Sequence, residues 1–196
     1  MEKILLVDLD EVFADFTSGA LSAHGVSREE FERKRIPGTW DMTIPLDMTH
    51  DEFWKPIVGQ GPEFWLRLKP LPWAPEFKRY LNSLNVQWFI VTSPNHDPDC
   101  VSAKIRWCRR FFGRSRPDPI PLSEKWLLSS PNKVLIDDKW ESIAKFVKIG
   151  GQGILFPSKG NILHLESENP LFYVKEQIEC HLASPSVTST RLSPSW

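Results

Sequence analysis

Cysteine is scarce in this sequence of 196 residues, which holds three cysteines, at positions 100, 108 and 180. An odd number of cysteines with no CxxC spacing argues against a disulfide framework and against a cysteine-based zinc site. The five histidines also lack the spacing of metal ligands. These absences favour a reducing compartment, and we expect a cytoplasmic protein.

Long hydrophobic runs are absent as well. The apolar run over residues 4–7 is only four residues long and is followed directly by Asp8 and Asp10. We therefore expect neither a signal peptide nor a membrane-spanning helix. The net charge of −1 comes from 24 basic and 25 acidic residues and supplies no overall basic field. We therefore expect no membrane binding and no stable nucleic-acid complex.

Alternating apolar strands and amphipathic helices are the main pattern that is present. Strands are predicted at residues 3–7, 86–91, 120–122, 133–136 and 152–156. Helices are predicted at residues 27–35, 75–84, 100–112 and 141–148. This order predicts an α/β fold with a Rossmann-like open parallel sheet.

A long polar and aromatic stretch interrupts this alternation after the first strand. Residues 17–70 carry no strong β-run and are predicted to form a small helical cap. Residues 1–16 and 71–180 then form a discontinuous core. The segment 181–196 is rich in Ser, Thr and Pro, lacks apolar periodicity, and is predicted to be a disordered tail.

Chemistry-bearing residues follow the strands at the points where the strands end. Because parallel strands bring their carboxyl ends to one edge of a sheet, we expect these side chains to lie together. They are Asp8, Asp10, Thr92, Ser93, Asp137 and Asp138, with Lys125 on the loop before the later strand. Four carboxylates in one crevice repel each other, and Mg²⁺ relieves that repulsion. The hydroxyls and the amine are suited to the remaining oxygens of a phosphate.

Some of these assignments have competitors within the sequence. Lys133 and Lys139 lie close enough to Lys125 to take its place. A DxD pair alone is a weak signal, and it gains weight only from the ordered set. Lys104 is expected to be a surface residue, although it could reach the phosphate.

The ordered set resembles the haloacid-dehalogenase-like phosphohydrolases, whose DxDx(T/V) signature is matched at residues 8–12. The resemblance narrows to the 5′(3′)-deoxyribonucleotidases. It rests on the segments DLDEVFADF, FWLRLKPLPWA, FIVTSP, AKIRWCRRFFG and LIDDK, in order from residue 3 to about residue 148. One departure is Glu11, where the nucleotidase pattern usually has glycine, the residue that a permissive turn would need.

The resemblance implies a mechanism. Asp8 would be the nucleophile and Asp10 the general acid and base. The Asp8 carboxylate, the Asp10 main-chain carbonyl and the Asp137-Asp138 pair would hold Mg²⁺. Thr92 and Lys125 would orient the phosphoryl oxygens.

The resemblance also assigns the cap a part in substrate binding. Aromatic rings of the cap would stack on a nucleotide base, and the candidates are Trp40, Phe64 and Trp65, with Trp54 behind them. For the three tryptophans, packing of the cap and stacking on substrate are equally supported by the sequence.

The function implied is a magnesium-dependent phosphomonoesterase acting on nucleoside 5′-monophosphates. Two alternatives stay open. One is a phosphatase of the same superfamily with another substrate, such as a sugar phosphate or a nucleic-acid end. The other is a non-catalytic nucleotide-binding protein. Glu11 supports this alternative, because it departs from the glycine of the nucleotidase pattern. The sequence leaves open whether the protein is a homodimer.

Overall fold

A parallel β-sheet forms the centre of the computed structural model, which describes residues 2–95 and 97–183. Within these residues the sheet has five strands in the order β3-β2-β1-β4-β5. The strands are β1 Ile4–Val7, β2 Gln87–Thr92, β3 Ile120–Pro121, β4 Lys133–Asp137 and β5 Gln152–Leu155. The predicted α/β fold with an open parallel sheet is confirmed.

Strand β1 lies in the middle of the sheet and pairs in parallel with β2 and β4. Leu5 is in register with Trp88 on one side and with Val134 on the other. After β3 the chain returns to the far side of β1, so the strand order reverses there. Ligands bind at such reversal points, beyond the carboxyl ends of the strands.

The core helices cover both faces of the sheet. They are α6 Ala74–Ser83, α7 Pro98–Phe112, α8 Trp140–Lys148 and α9 Pro170–Ala183. Successive strand residues point to opposite faces. Leu5 belongs to the cluster that contains Phe77 and Trp107, whereas Leu6 belongs to the cluster that contains Phe146. Burial on both faces explains why the strands are almost wholly apolar.

Five further helices form the insertion between β1 and α6. They are α1 Phe16–Ala23, α2 Arg28–Lys34, α3 Thr43–Leu46, α4 His50–Val58 and α5 Pro62–Arg67. Ser27 caps α2, because its hydroxyl accepts from the Glu30 N–H at 3.1 Å. Thr49 and Glu52 cap α4 with a reciprocal pair of hydrogen bonds.

The two ends of the insertion lie side by side on the sheet edge. Ala14 forms an isolated antiparallel bridge with Pro70, and the Leu71 N–H donates to the Phe13 carbonyl at 2.8 Å. The insertion is not a separate hydrophobic unit, since Ile57 and Trp65 share one buried cluster with the sheet. The division at residues 16, 70 and 180 stays a prediction.

Some elements were not assigned from the sequence. Two short 3-10 helices, Lys125–Leu128 and His164–Glu168, and helix α9 belong to this group. Helix α9 continues to Ala183, three residues into the predicted tail. The remainder of that tail, 184–196, lies outside the described residues. Across the described ranges, no helix combines the length and apolar character needed to span a bilayer.

Packing of the insertion against the sheet can be tested at two adjacent positions of α4. Ile57 is fully buried, whereas Val58 is 45% exposed. We expect Ile57→Ala to lower the free energy of unfolding by about 2–5 kcal/mol, because it leaves a cavity in the shared cluster. Val58→Ala should change it by about 0.5 kcal/mol or less. Urea unfolding measures both, and equal effects would contradict the shared core.

Candidate active site

Three strands deliver polar side chains to the carboxyl edge of the sheet. Asp8 follows β1 directly, and its N–H donates to the Ile136 carbonyl of β4 at 2.8 Å. Thr92 is the last residue of β2, and Asp137 is the last residue of β4. All three side chains are nearly inaccessible to solvent. Parallel pairing around β1 therefore brings distant parts of the chain to one point.

A cluster of three carboxylates occupies this point. Asp8, Asp137 and Asp138 each offer an oxygen, and these oxygens lie within 4.8 Å of one another. All three residues are buried. Oxygen atoms of carboxylates at this spacing are the donor set that a hard divalent cation prefers.

Lys125 supplies the positive charge that the cluster contains. Its Nζ lies 2.7 Å from Asp8 Oδ1 and 2.6 Å from Asp137 Oδ2. Its side chain is 2% exposed. Burial alone would lower the pKa of Lys125, but Asp137 and Asp8 outweigh it and raise that pKa. The amine is therefore a fixed cation between two of the acids.

One lysine does not neutralise three acids. Burial raises the pKa of Asp8 to about 7. The charge of Lys125 lowers this pKa, and the charge of Asp137 raises it further. Burial also raises the pKa of Asp138 well above its ordinary value, and the charges of Asp137 and Asp8 add to this effect. The cluster thus carries an excess of buried negative charge that favours binding of a proton or a cation.

Lys104 binds Asp10, and the expectation that Lys104 is a surface residue is wrong. Its side chain is 3% exposed. Its Nζ donates to Asp10 Oδ2 at 2.5 Å, to Thr92 Oγ1 at 3.0 Å and to the Ser93 carbonyl at 2.8 Å. Asp10 Oδ1 is buried and has no hydrogen-bond partner among the described residues.

The sequence did contain a signal for this lysine. Lys104 lies four residues after Cys100 and four before Cys108, and both cysteines are buried on the inner face of α7. A residue at that spacing shares the buried face of a helix. Its position on this face, in the helix after Thr92, directs the amine to the strand ends.

A cavity of about 400 Å³ opens beside the acids and extends under the insertion. Aromatic side chains form one wall: Phe16, Trp40, Phe53, Trp54 and Trp65. Trp65 stacks on Phe16 with ring centroids 5.9 Å apart, and Lys104 Nζ lies 4.7 Å from the Trp65 ring. Phe16 was not among the residues selected from the sequence, although it follows the first strand closely.

The three predicted base-binding rings occupy different positions. Trp40 is 48% exposed and donates from its indole N–H to Asp138 Oδ2 at 3.2 Å. Trp65 lines the cavity. Phe64 is 3% exposed, is not among the cavity-lining residues, and packs edge-on against Trp65 at 4.9 Å. Phe64 thus supports the wall from behind.

Ser93, Glu11 and Arg35 are among the other polar residues that line the same cavity. The Ser93 side chain is exposed there. Glu11 has a positive φ of 57°, which agrees with the expectation that this turn favours a permissive backbone. Arg35, at the end of α2, was not selected from the sequence, because nothing in its surroundings there marks it as buried.

Solved structures identify the class of fold. The chain aligns with a haloacid dehalogenase-like family hydrolase from Streptococcus pneumoniae with a TM-score of 0.53 and 12% identity, covering 90% of this chain and 98% of that one. It aligns with a hydrolase from Pseudomonas syringae with a TM-score of 0.51 and 14% identity, covering 91% and 99%. The fold is that of the haloacid dehalogenase-like hydrolases.

Sequence comparison identifies the family within that class. Residues 2–171 match the family described as 5′ nucleotidase, deoxy (pyrimidine), cytosolic type C protein. The chain belongs to this family and is a phosphoric monoester hydrolase. The cytosolic-type 5′(3′)-deoxyribonucleotidase of Homo sapiens is 30% identical over 69% of this chain and 70% of its own length. The mitochondrial 5′(3′)-deoxyribonucleotidase of Mus musculus is 30% identical over 85% and 77%.

The buried acids predict how stability depends on pH without added metal. Folding raises the pKa of Asp8 from 3.8 to about 7, and Asp138 shifts in the same direction. Between pH 3.8 and about pH 7, the folded protein binds more protons than the unfolded chain. The free energy of unfolding should therefore fall as pH rises through this range. Above pH 7 the contribution of Asp8 becomes constant.

Urea unfolding in EDTA at several pH values measures this slope. The double variant Asp8→Asn/Asp138→Asn should show a smaller decrease than the wild type. Asp51→Asn is the matched control, because that side chain is fully exposed, and it should keep the wild-type slope. An unchanged slope in the double variant would contradict the assignment.

Proposed function

We propose that this protein is a magnesium-dependent phosphomonoesterase that hydrolyses nucleoside 5′-monophosphates, with deoxyribonucleotides favoured, through an aspartyl-phosphate on Asp8. The observation that carries the proposal is the adjacency of the buried acids to an aromatic-walled cavity. An anion-binding end beside stacking surfaces suits a phosphate joined to a base. The names of the human and mouse relatives, both deoxyribonucleotidases, support the same substrate class.

The first step is nucleophilic attack by the Asp8 carboxylate on phosphorus. Lys125 and the Leu9 N–H hold Oδ1 of Asp8, at 2.7 and 2.8 Å. A bond forms between an Asp8 oxygen and phosphorus, and the bond from phosphorus to the 5′-oxygen breaks. Asp10 donates a proton to that leaving oxygen, so the nucleoside departs neutral.

The second step releases inorganic phosphate. Asp10 takes a proton from a water molecule, which attacks phosphorus and breaks the bond to Asp8. Lys104 fixes Asp10 through Oδ2, while Oδ1 has no partner in the described part of the chain. Oδ1 would carry the proton in both steps, because Oδ2 already accepts from Lys104. Thr92, Ser93 and Lys125 would hold the phosphoryl oxygens.

The donor set fits magnesium. The carboxylates of Asp8, Asp137 and Asp138 and the main-chain carbonyl of Asp10 would hold the ion. When bound, Mg²⁺ offsets the charge that develops on the phosphoryl oxygens. The Asn161 amide fixes the adjoining backbone, because it donates to the Asp138 carbonyl at 2.8 Å.

The helical insertion, residues 17–70, would act as the cap of this enzyme. Trp40, Trp54 and Trp65 would contact the base, and Phe64 would support them through its edge-on packing against Trp65. A cap that closes over the strand ends limits access of bulk water to the phosphoenzyme. We also propose a cytoplasmic location, which the name of the human relative states for that protein.

The nucleophile and the substrate class can be tested together. We expect Asp8→Asn to lower kcat by about 10³ or more, because an amide cannot form the phosphoenzyme. The measurement is phosphate release from dUMP, dTMP, purine nucleotides, glucose 6-phosphate and a 5′-phosphorylated oligonucleotide. Asp51→Asn should retain wild-type rates. Activity of Asp8→Asn would contradict the nucleophile, and equal rates on all substrates would contradict nucleotide specificity.

Removal and return of the metal provide an independent measurement. We expect no hydrolysis in EDTA and full recovery with Mg²⁺. Bound ion should also raise the melting temperature. At a Mg²⁺ concentration of 100 times the dissociation constant, binding adds about 2.7 kcal/mol to the free energy of unfolding. Since protons compete for Asp8 and Asp138, the increase should be larger at pH 8 than at pH 5. The Asp137→Asn variant should show no increase in melting temperature with Mg²⁺. Full activity of the wild type in EDTA would contradict the metal requirement.

A further inference from the structure

Glu11 is a charged side chain placed inside the active-site cavity at a conformational cost. Its φ of 57° lies in the left-handed region, which non-glycine residues seldom adopt. Its side chain lines the cavity together with Asp8 and Asp10. A carboxylate beside a phosphate site repels the substrate, so this position requires another explanation.

The hydrogen bonds of Glu11 leave acceptor capacity on its carboxylate. Oε1 accepts from the Thr17 N–H at 2.7 Å, and the Thr17 side chain also hydrogen-bonds the carboxylate. A carboxylate has about four lone-pair sites, and Glu11 lines the cavity. A carboxylate oxygen can accept but cannot donate unless protonated. It is suited to a hydroxyl or N–H group of a ligand.

Arg35 lines the same cavity, and its positive charge is attracted by the charge of Glu11. Its guanidinium packs on the Phe31 ring at 4.6 Å, and its side chain is 10% exposed. Its Nε is buried without a hydrogen-bond acceptor in the described structure, since Glu32 Oε2 is 3.7 Å away. The lining of the cavity therefore contains an acceptor, Glu11, together with the positive charge of Arg35.

The order of phosphate, sugar and base in a nucleotide indicates which part of the substrate would lie next to Glu11. Asp10 meets the leaving 5′-oxygen in the proposed reaction, and Glu11 is the next residue. The sugar is the part of the substrate joined directly to that oxygen, whereas the aromatic wall is suited to the base. The nearest donors on the substrate are therefore the sugar hydroxyls.

We propose that Glu11 is a specificity-determining residue that accepts a hydrogen bond from a hydroxyl of the substrate's sugar, with Arg35 as its positioning residue. This inference rests on the proposed function and adds to it the residue that recognises the sugar of the substrate. The proposed preference for deoxyribonucleotides selects the 3′ hydroxyl, because deoxyribose lacks the 2′ group, and the 3′-deoxy substrate tests this choice.

A purely structural role for Glu11 has a matched control. Glu11 accepts from a backbone N–H in the first turn of α1, and Asp15 does the same through Ser18 N at 2.9 Å. Asp15 is not among the cavity-lining residues. Asp15→Ala therefore removes a comparable cap without changing the cavity wall. Glu11→Gly removes the carboxylate at a φ that glycine adopts readily, so this variant should fold.

The experiment compares kcat/KM for dUMP, UMP, 3′-deoxyuridine 5′-monophosphate and 2′,3′-dideoxyuridine 5′-monophosphate, with p-nitrophenyl phosphate as a substrate without a sugar. The wild type should prefer a hydroxylated sugar over the dideoxy sugar by roughly tenfold to a hundredfold, as expected for a hydrogen bond to a charged group. Glu11→Gly should reduce this ratio to about one. Asp15→Ala should keep the ratio, and Arg35→Gln should reduce it partly.

Each other outcome overturns the inference. If Glu11→Gly changes the rate on all nucleotides by one factor, the carboxylate acts on the phosphate or on the fold. If Asp15→Ala lowers the ratio equally, helix capping explains it. If the wild type hydrolyses p-nitrophenyl phosphate but no nucleotide, the proposed function has failed, which is distinct from a nucleotidase that ignores the hydroxyls.

Discussion

The mutual repulsion of three buried carboxylates is the constraint on which the rest of this structure depends. Asp8, Asp137 and Asp138 lie close enough to share one ion, and each is nearly inaccessible to water. Removing charged groups from water costs several kcal/mol for each ion unless opposite charge compensates. Lys125 offsets part of this cost, and the raised pKa values of Asp8 and Asp138 show that part remains. Such a cluster lowers the stability of the fold unless a proton or a cation relieves the repulsion.

The sheet creates this cluster through its strand order. β1 is paired on both sides with apolar strands, and β4 crosses to the far side of β1 after the chain has completed β2 and β3. Acids separated by most of the chain therefore meet. This explains why the strand-end residues were predictable from the sequence: in a parallel sheet, apolar runs followed by polar residues can end only at one edge.

Other parts of the site were beyond the reach of the sequence. The burial of Lys104 depends on the inner face of α7, where it lies between Cys100 and Cys108, and its contact with Asp10 depends on the angle of that helix. Phe64 and Trp65 are adjacent in the chain, yet one supports the cavity wall and the other forms it. Arg35 reaches the cavity because α2 ends there. These features arise from packing between elements, which local patterns do not encode.

The hydrogen bond from the Trp40 indole to Asp138 joins the insertion to one of the acids. The same loop is attached to the segment after β5, where the Gly38 N–H donates to the Lys159 carbonyl at 3.3 Å. Outward movement of this loop must break the indole contact, and any ion that draws electron density from Asp138 weakens it. Loop displacement and the binding of an ion at Asp138 would therefore influence each other by thermodynamic reciprocity.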